Sequence, residues 1–137
     1  MARKQSVDRK KKQKKNSGKS AVYIILLIVA LAVIAFFFMG EFTFRNDFNS
    51  IVNELDQGFS DGNKPVITKC AENLETLKKK NIGKKDRLDP VNDNLLKCYR
   101  YLANDPSISH KERVGFLKKM YEISPDSLSP VDKKLVE

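Results

Sequence analysis

The sequence predicts an all-α protein in which a single transmembrane helix is followed by a small antiparallel bundle of about four helices plus a short terminal helix. Three observations lead to this prediction. Residues 21–39 contain no charged side chain. Beyond residue 40, apolar residues recur at helical spacing. No segment alternates between apolar and polar side chains with the period of two that a half-buried strand requires. We therefore divide the chain into residues 1–20, 21–39 and 40–137.

The apolar run of residues 21–39 predicts an uncleaved signal-anchor helix. Its nineteen residues read AVYIILLIVALAVIAFFFM. At 1.5 Å per residue, this length matches the hydrocarbon core of a bilayer, which is about 30 Å thick. A cleaved signal peptide has a shorter apolar region that ends at a small-residue site, whereas this run continues into Phe38-Met39-Gly40-Glu41. Because the run carries no ionisable group, it is typical of an anchor and not of a transport path.

The basic charge of the chain lies in residues 1–20. This tail carries nine basic residues and one acidic residue, a net charge of +8, while the whole chain is +9. Short basic segments beside a membrane helix stay in the cytoplasm, so we predict that the N-terminus is cytoplasmic and the C-terminus extracytoplasmic. The membrane we expect first is a bacterial inner or plasma membrane, and second a eukaryotic secretory-pathway membrane. With few apolar residues, the free tail should be disordered.

A cluster of cations in the tail predicts contact with anionic lipid. Such a cluster attracts any polyanion, including RNA. Nucleic acid is the less favoured partner because no aromatic residue interleaves the cations to stack on bases. The residues of the cluster are Arg9, Lys10, Lys11, Lys12, Lys14 and Lys15.

The segment from residue 40 onward contains four amphipathic patterns. The first runs from Phe44 to Phe59, where Asp61-Gly62-Asn63 interrupts it. The second covers about residues 64–80. The third is predicted to begin at Asp89-Pro90, because an aspartate N-cap followed by a proline in the first turn is a common helix start. Whether the membrane helix continues through Gly40 into the first pattern is left open, since a glycine within a helix costs only about 1 kcal/mol.

The fourth pattern begins with a capping box. In Ser109-His110-Lys111-Glu112, the serine and the glutamate each satisfy a free amide of the first turn. Ser124-Pro125 should end this helix, and Ser129-Pro130 should begin a short last one. Connections of four to eight residues favour antiparallel neighbours, and together the segments can bury a modest core.

Two cysteines form the sharpest pair of candidate residues. Cys70 and Cys98 lie on the apolar faces of the second and third helices, at similar distances from the turn between them. An extracytoplasmic compartment permits oxidation, so we predict a disulfide between them. The alternative is that both are buried free thiols that serve as small apolar side chains.

The sequence contains no recognisable catalytic, cofactor-binding or metal-binding motif, and we do not expect an enzyme. His110 is the sole histidine, which leaves almost nothing for a catalytic dyad or a zinc site. No phosphate-binding loop, dinucleotide fingerprint or calcium loop occurs. Asp86, Asp89 and Asp93 stand among cations and are interpreted as solvated turn and capping residues; an active site built from carboxylates alone is the weaker alternative.

The expected function is therefore a protein-interaction or scaffold module anchored by one membrane span. Its helical domain would bind another membrane or extracytoplasmic protein within a membrane or envelope complex, where anchorage raises the effective concentration of the partners. Candidate residues for the interaction surface are Phe59, Tyr101 and Tyr121. The alternative is a cytoplasmic adaptor that acts through its polybasic tail on anionic lipid, RNA or a protein.

Overall fold

The computed structural model of the chain describes the backbone of residues 2–137 and the side chains of residues 20–137. Within this part there are five α-helices, one short 3-10 helix and no strand, so the all-α prediction is confirmed. The helices are α1 (Ala2–Ser60), α2 (Lys64–Lys80), α3 (Lys85–Ala103), α4 (His110–Ile123) and α5 (Pro130–Val136), with the 3-10 helix at Pro125–Ser127.

The chain divides into two compact units, which meet between Thr43 and Phe44. In the first unit, the segment beginning at Ser20 is apolar and long enough to cross a membrane, with a mean hydropathy of 3.1 in its most apolar window. None of that window is buried within the protein. Helix α1 continues through Gly40, where an added Cβ would meet no atom within 4 Å. The glycine therefore does not interrupt the helix.

The backbone of residues 2–20 of the basic tail also belongs to α1, although the composition of the tail predicts a disordered segment. Lysine, arginine and glutamine are good helix formers, and the tail can add turns to a helix that the apolar run has already nucleated. The side chains of the cation cluster, from Arg9 to Lys15, lie outside the described side chains. Lipid contact by this cluster and the division of the chain at residues 20 and 39 stay predictions.

The second unit is a bundle in which successive helices pack on each other: α2 on α3, α3 on α4, and α4 on α5. The end of α1 packs on the start of α2, and Gly58 permits the approach. A Cβ at Gly58 would lie only 3.0 Å from Val66 Cγ1 and 3.2 Å from Ile67 Cγ1. The buried core residues are Phe44, Leu55, Ile67, Cys70, Ala71, Leu74, Leu77, Val91, Leu95, Cys98, Tyr99, Leu102, Ala103, Leu117, Met120 and Leu128.

Most predicted helix ends are confirmed. Asn63 caps α2 by accepting a hydrogen bond from the Val66 amide, and Ser109 and Glu112 form both halves of the capping box. The predicted start of α3 is wrong: the helix begins at Lys85, and Asp89-Pro90 lies inside it. Gly83, with φ +85°, reverses the chain earlier than the Asp-Pro pair suggests. Pro90 then removes only one backbone hydrogen bond from the helix.

Candidate interaction groove

An open groove of about 660 Å³ lies where the C-terminal ends of α1 and α3 meet. We call it the aromatic groove. It is lined by Phe59, Lys97, Arg100, Tyr101, Asn104, Asp105 and Pro106. Residues 97, 100, 101 and 104 follow one another at spacings of three, one and three, so they form one stripe along the end of α3 and its C-cap. The groove therefore combines an apolar floor with charged and amide groups along one side.

The floor of the aromatic groove is an aromatic pair. The rings of Phe59 and Tyr101 meet edge to face, with centroids 5.4 Å apart and an interplanar angle of 60°. Such pairs contribute about 0.5–1.5 kcal/mol beyond the area that they bury. Tyr101 remains 37% exposed. The turn after α1 lies beside this side chain: at Gly62, φ is +62°, and a Cβ there would lie 3.8 Å from the Tyr101 hydroxyl.

The carboxylate of the groove, Asp105, already has hydrogen-bond and ion-pair partners within the chain. Asp105 accepts hydrogen bonds from the amide and hydroxyl of Ser107, at 2.7 Å and 2.6 Å. It also forms an ion pair of 2.9 Å with Lys64. The Ser107 hydroxyl, followed by Lys64, lowers the pKa of Asp105 to about 2. Asp105 thus closes the loop after α3 and ties it to the start of α2.

The cations of the groove remain available. Lys97 and Arg100 are both exposed. Arg100 donates a long hydrogen bond of 3.3 Å to the Ser127 carbonyl, and within the described residues neither cation forms an ion pair. With Asp105 engaged by Lys64, the charge that the groove offers to a visiting molecule is positive. A ligand that fits it carries an apolar group next to acidic groups.

The structure brings together two of the three predicted surface residues. Phe59 and Tyr101 share the aromatic groove, whereas Tyr121 lies partly buried against the core on α4. That any of them binds a partner stays a prediction. The sequence reasoning missed Lys97, Arg100 and Asn104, although their helical spacing beside Tyr101 would have revealed them.

In a second aromatic and charged cluster, the polar groups bind one another and leave no open site. On the α3–α4 side of the bundle, the Tyr99 hydroxyl and Lys119 both donate hydrogen bonds to Glu75, the latter at 2.6 Å. Lys119 Nζ also lies 5.2 Å from the centroid of the Tyr99 ring. Burial and the bond to Glu75 raise the pKa of Tyr99 above its ordinary value. Each polar group here has a partner from the chain itself, so the cluster reads as structural.

The two cysteines do not form the predicted disulfide in this structure. Cys70 and Cys98 are free thiols, and both are fully buried between α2 and α3. Burial, and then the neighbouring Cys70, raise the pKa of the Cys98 thiol to about 12. Helical packing accounts for the burial of both residues, as the alternative of small apolar side chains requires, and their oxidation stays a prediction.

Within the described part of the chain, no group of three or more histidine, cysteine or acidic side chains is arranged to hold a metal ion. His110 is exposed at the start of α4, and Asp86, Asp89 and Asp93 are exposed on α3. The absence of an enzymatic activity stays a prediction. Comparisons of the chain with protein families, curated proteins and solved structures find no match.

Proposed function

We propose that this chain is a single-pass membrane-anchored interaction module whose aromatic groove binds an acidic segment of another membrane or envelope protein. The observation that carries the proposal is the edge-to-face pair of half-buried Phe59 and exposed Tyr101, which lies beside two cations without ion pairs. Aromatic and arginine side chains dominate binding energy at protein interfaces, and complementary charge steers the encounter. Membrane anchorage makes even weak groove binding effective because both partners are confined to one surface.

The occupant that fits is a short segment with one apolar anchor between acidic side chains. The groove volume of about 660 Å³ lies within the range of small-ligand pockets, about 300–1,000 Å³. The anchor would displace water from the Phe59–Tyr101 floor. The flanking carboxylates would pair with Lys97 and Arg100, while Asp105, already bonded to Lys64, would not repel them strongly.

The test uses the full chain in lipid nanodiscs. Two fluorescein-labelled peptides, one with a phenylalanine flanked by aspartate and glutamate and one with the corresponding amides, are titrated by anisotropy. We expect the acidic peptide to bind more tightly. Tyr101→Ala should weaken binding by about 30-fold or more, the range of a hot-spot residue. The double variant Lys97→Gln, Arg100→Gln should weaken it by about 10-fold and reduce its dependence on salt.

The matched control is the double variant Lys111→Gln, Lys118→Gln, which removes two exposed cations from α4 and leaves the groove unchanged. It should bind like the parent chain. Equal binding of the acidic and amide peptides, or an equal loss in the α4 control, would contradict the proposal.

The proposed orientation, with the helical domain outside the cytoplasm, rests on the charge of the tail. Because both native thiols are buried, a cysteine introduced at an exposed site reports orientation with little background. Val131→Cys is suitable, since Val131 is 72% exposed on α5. A membrane-impermeant maleimide should label this variant in intact cells. Labelling only after lysis would place the domain in the cytoplasm.

The second candidate function is the cytoplasmic adaptor, and the concentration of charge in the tail favours it: +8 of a total of +9. Replacing the cations from Arg9 to Lys15 with glutamine, while keeping Arg3, Lys4 and Lys19, separates the two functions. If the cellular activity is lost while the Val131→Cys label still reports the same orientation, the tail carries the function. If activity is unchanged, the helical domain does.

A further inference from the structure

The turn between α2 and α3 presents a single apolar side chain to solvent. Ile82 is 78% exposed, the highest value among the exposed large apolar residues of the helical domain. The turn that holds it is well ordered by polar contacts. Asn81, which is buried, donates to the Leu77 carbonyl at 2.8 Å and accepts from Arg87 Nη1 at 2.9 Å. With Asn81 held inward and Gly83 at φ +85°, Ile82 is directed outward.

Lysines flank this isoleucine on both sides in the sequence. Residues 78–85 include five lysines and no acidic residue. Lys78, Lys79 and Lys80 end α2, and Lys84 and Lys85 lead into α3. Lys79 lies near enough to Glu75 to lower the pKa of that carboxyl, but within the described residues Lys80, Lys84 and Lys85 form no ion pair. We call residues 78–85 the lysine turn.

The lysine turn lies at the end of the bundle where the domain begins. The Arg87 guanidinium sits 5.1 Å from the centroid of the Phe44 ring. Phe44 is the fifth residue after Met39, which ends the apolar run. Five residues span at most about 18 Å even when fully extended. The covalent chain therefore keeps this end of the domain near the membrane surface whenever the apolar run crosses a bilayer.

We infer that the lysine turn is a second membrane contact, in which Ile82 inserts among the headgroups of a bilayer that contains anionic phospholipid. An exposed aliphatic side chain flanked in the sequence by lysines is typical of segments that lie in a membrane interface. The lysines pair with lipid phosphates, and their attraction adds to the apolar contact of the isoleucine. This inference rests on the membrane anchorage of the proposed function but not on the aromatic groove.

A bilayer is favoured over an acidic protein as the occupant for two reasons. The tip is a single aliphatic side chain without an aromatic neighbour in the lysine turn, which gives a protein partner little to pack against. The membrane anchor also holds the lysine turn close to the bilayer, so the effective concentration of lipid at the turn is high.

The chain contains no tryptophan, so one introduced at residue 82 gives an emission from that site alone. The full-length variant Ile82→Trp is reconstituted in vesicles of phosphatidylcholine with or without phosphatidylglycerol. We expect a blue shift of the emission, and quenching by brominated lipid chains, in the vesicles that contain phosphatidylglycerol. Raised salt should reverse both effects, because it screens the lysines. Ile82 is exposed, so the substitution should leave the fold intact, which circular dichroism checks.

Two further variants decide the outcome. Adding Lys79→Gln, Lys80→Gln, Lys84→Gln and Lys85→Gln to Ile82→Trp should abolish the blue shift. The matched control, Val131→Trp, places a tryptophan at a similarly exposed apolar site on α5 and should show no shift. Unshifted and unquenched emission from residue 82 in both kinds of vesicle, or equal shifts at residues 82 and 131, overturns the inference. Flotation of the reconstituted chain with the vesicles tests the anchor separately, so failure of the anchor and failure of the turn can be told apart.

Discussion

Tyr99 and Tyr101 stand two residues apart on α3, yet they have opposite surroundings. Tyr99 is 3% exposed. Its hydroxyl donates a hydrogen bond to Glu75, and its ring lies beside the Lys119 ammonium group. Tyr101 is 37% exposed, and its ring lies edge to face with the ring of Phe59. Its hydroxyl has no hydrogen-bond partner within the described residues. Two residues turn the helix by about 200°, so the two side chains lie on nearly opposite faces of α3.

The difference separates a surface whose polar groups bind each other from a surface that keeps an aromatic ring and cations open to solvent. The face of α3 that carries Tyr99 is covered by α2 and α4, so the Tyr99 hydroxyl finds its partner, Glu75, inside the molecule. The face that carries Tyr101 is only partly covered, and it leaves an aromatic ring beside unpaired cations. Exposed aromatic rings next to unpaired charge are typical of binding sites, whereas satisfied buried networks specify the core.

Truncating each tyrosine gives the largest expected contrast. Tyr99→Ala removes a buried ring and leaves Glu75 with one donor fewer, and we expect a loss of about 3–5 kcal/mol in the free energy of unfolding. Tyr101→Ala should cost about 1 kcal/mol or less, because its ring is partly exposed. Urea unfolding of the full chain in detergent micelles, followed by near-ultraviolet circular dichroism, measures both. Similar losses for the two variants would remove the distinction between the faces.

Thiol reactivity tests the buried face of α3, which carries Tyr99, without a mutation. Cys98 adjoins Tyr99 on α3, and Cys70 faces it from α2; both are fully buried, and burial raises the pKa of each. Neither should react with a maleimide in the folded chain, and both should react in denaturant without a reductant. If labelling in denaturant requires prior reduction, the cysteines are bonded, and a crosslink rather than packing alone joins α2 to α3.

A substitution at Gly58 tests the packing beneath the aromatic groove, because this glycine lets α1 approach α2 next to Phe59. Gly58→Ala places a Cβ against the half-buried Val66 and the fully buried Ile67. We expect a net destabilisation of about 1 kcal/mol, since the packing cost exceeds the gain in helix propensity. Acidic-peptide binding should also weaken as Phe59 moves.

The matched control for this substitution is Gly115→Ala on α4, where an added Cβ would meet nothing within 4 Å. It should stabilise the chain by about 0.5–1 kcal/mol through helix propensity alone and leave peptide binding unchanged. Both variants are measured by urea unfolding and by peptide anisotropy. A stabilising Gly58→Ala would show that α1 and α2 can separate slightly at no cost.

The smallest expected effect is the pH dependence of stability that arises from Glu75, next to Tyr99. Burial acts to raise the pKa of Glu75, but the hydrogen bonds from Lys119 and Tyr99 outweigh it, so the pKa lies below its ordinary value of 4.5. The unfolded state therefore binds the proton more tightly than the folded state. The stabilisation from Glu75 is fully present above pH 4.5 and is lost as the pH falls through the lower, folded pKa.

Glu75→Gln should accordingly cost about 1 kcal/mol or less at neutral pH, since the carboxylate is partly exposed. This cost should shrink as the pH falls below about 4.5, the ordinary value. Urea unfolding at several pH values compares the parent and the variant. Glu72→Gln, at an exposed position on the same helix, is the control and should show little difference at any pH. A constant cost of Glu75→Gln across this range would mean that the carboxylate charge does not matter.

The sequence alone determined the elements whose causes are local. The apolar run, the spacing of core residues in α2 and the capping box at Ser109 depend on neighbours within a few positions, and each was predicted correctly. The start of α3 was mispredicted because the Asp89-Pro90 pair is a helix start by itself, whereas Gly83 had already turned the chain. The continuity of α1 through Gly40 was undecided, since propensity differences there are small.

Only the tertiary structure decided which side chains share a site. Phe59 and Tyr101 are far apart in the sequence, as are Glu75 and Lys119, and no local pattern shows that the first pair stays open and the second is closed. The packing of α2, α3 and α4 covers one tyrosine of α3 and leaves the other beside Lys97 and Arg100. The same packing brings Arg87 onto Phe44, which places the lysine turn at the end where the domain begins. Burial and partner choice depend on the sum of many long-range contacts, and these exist only once the helices have packed.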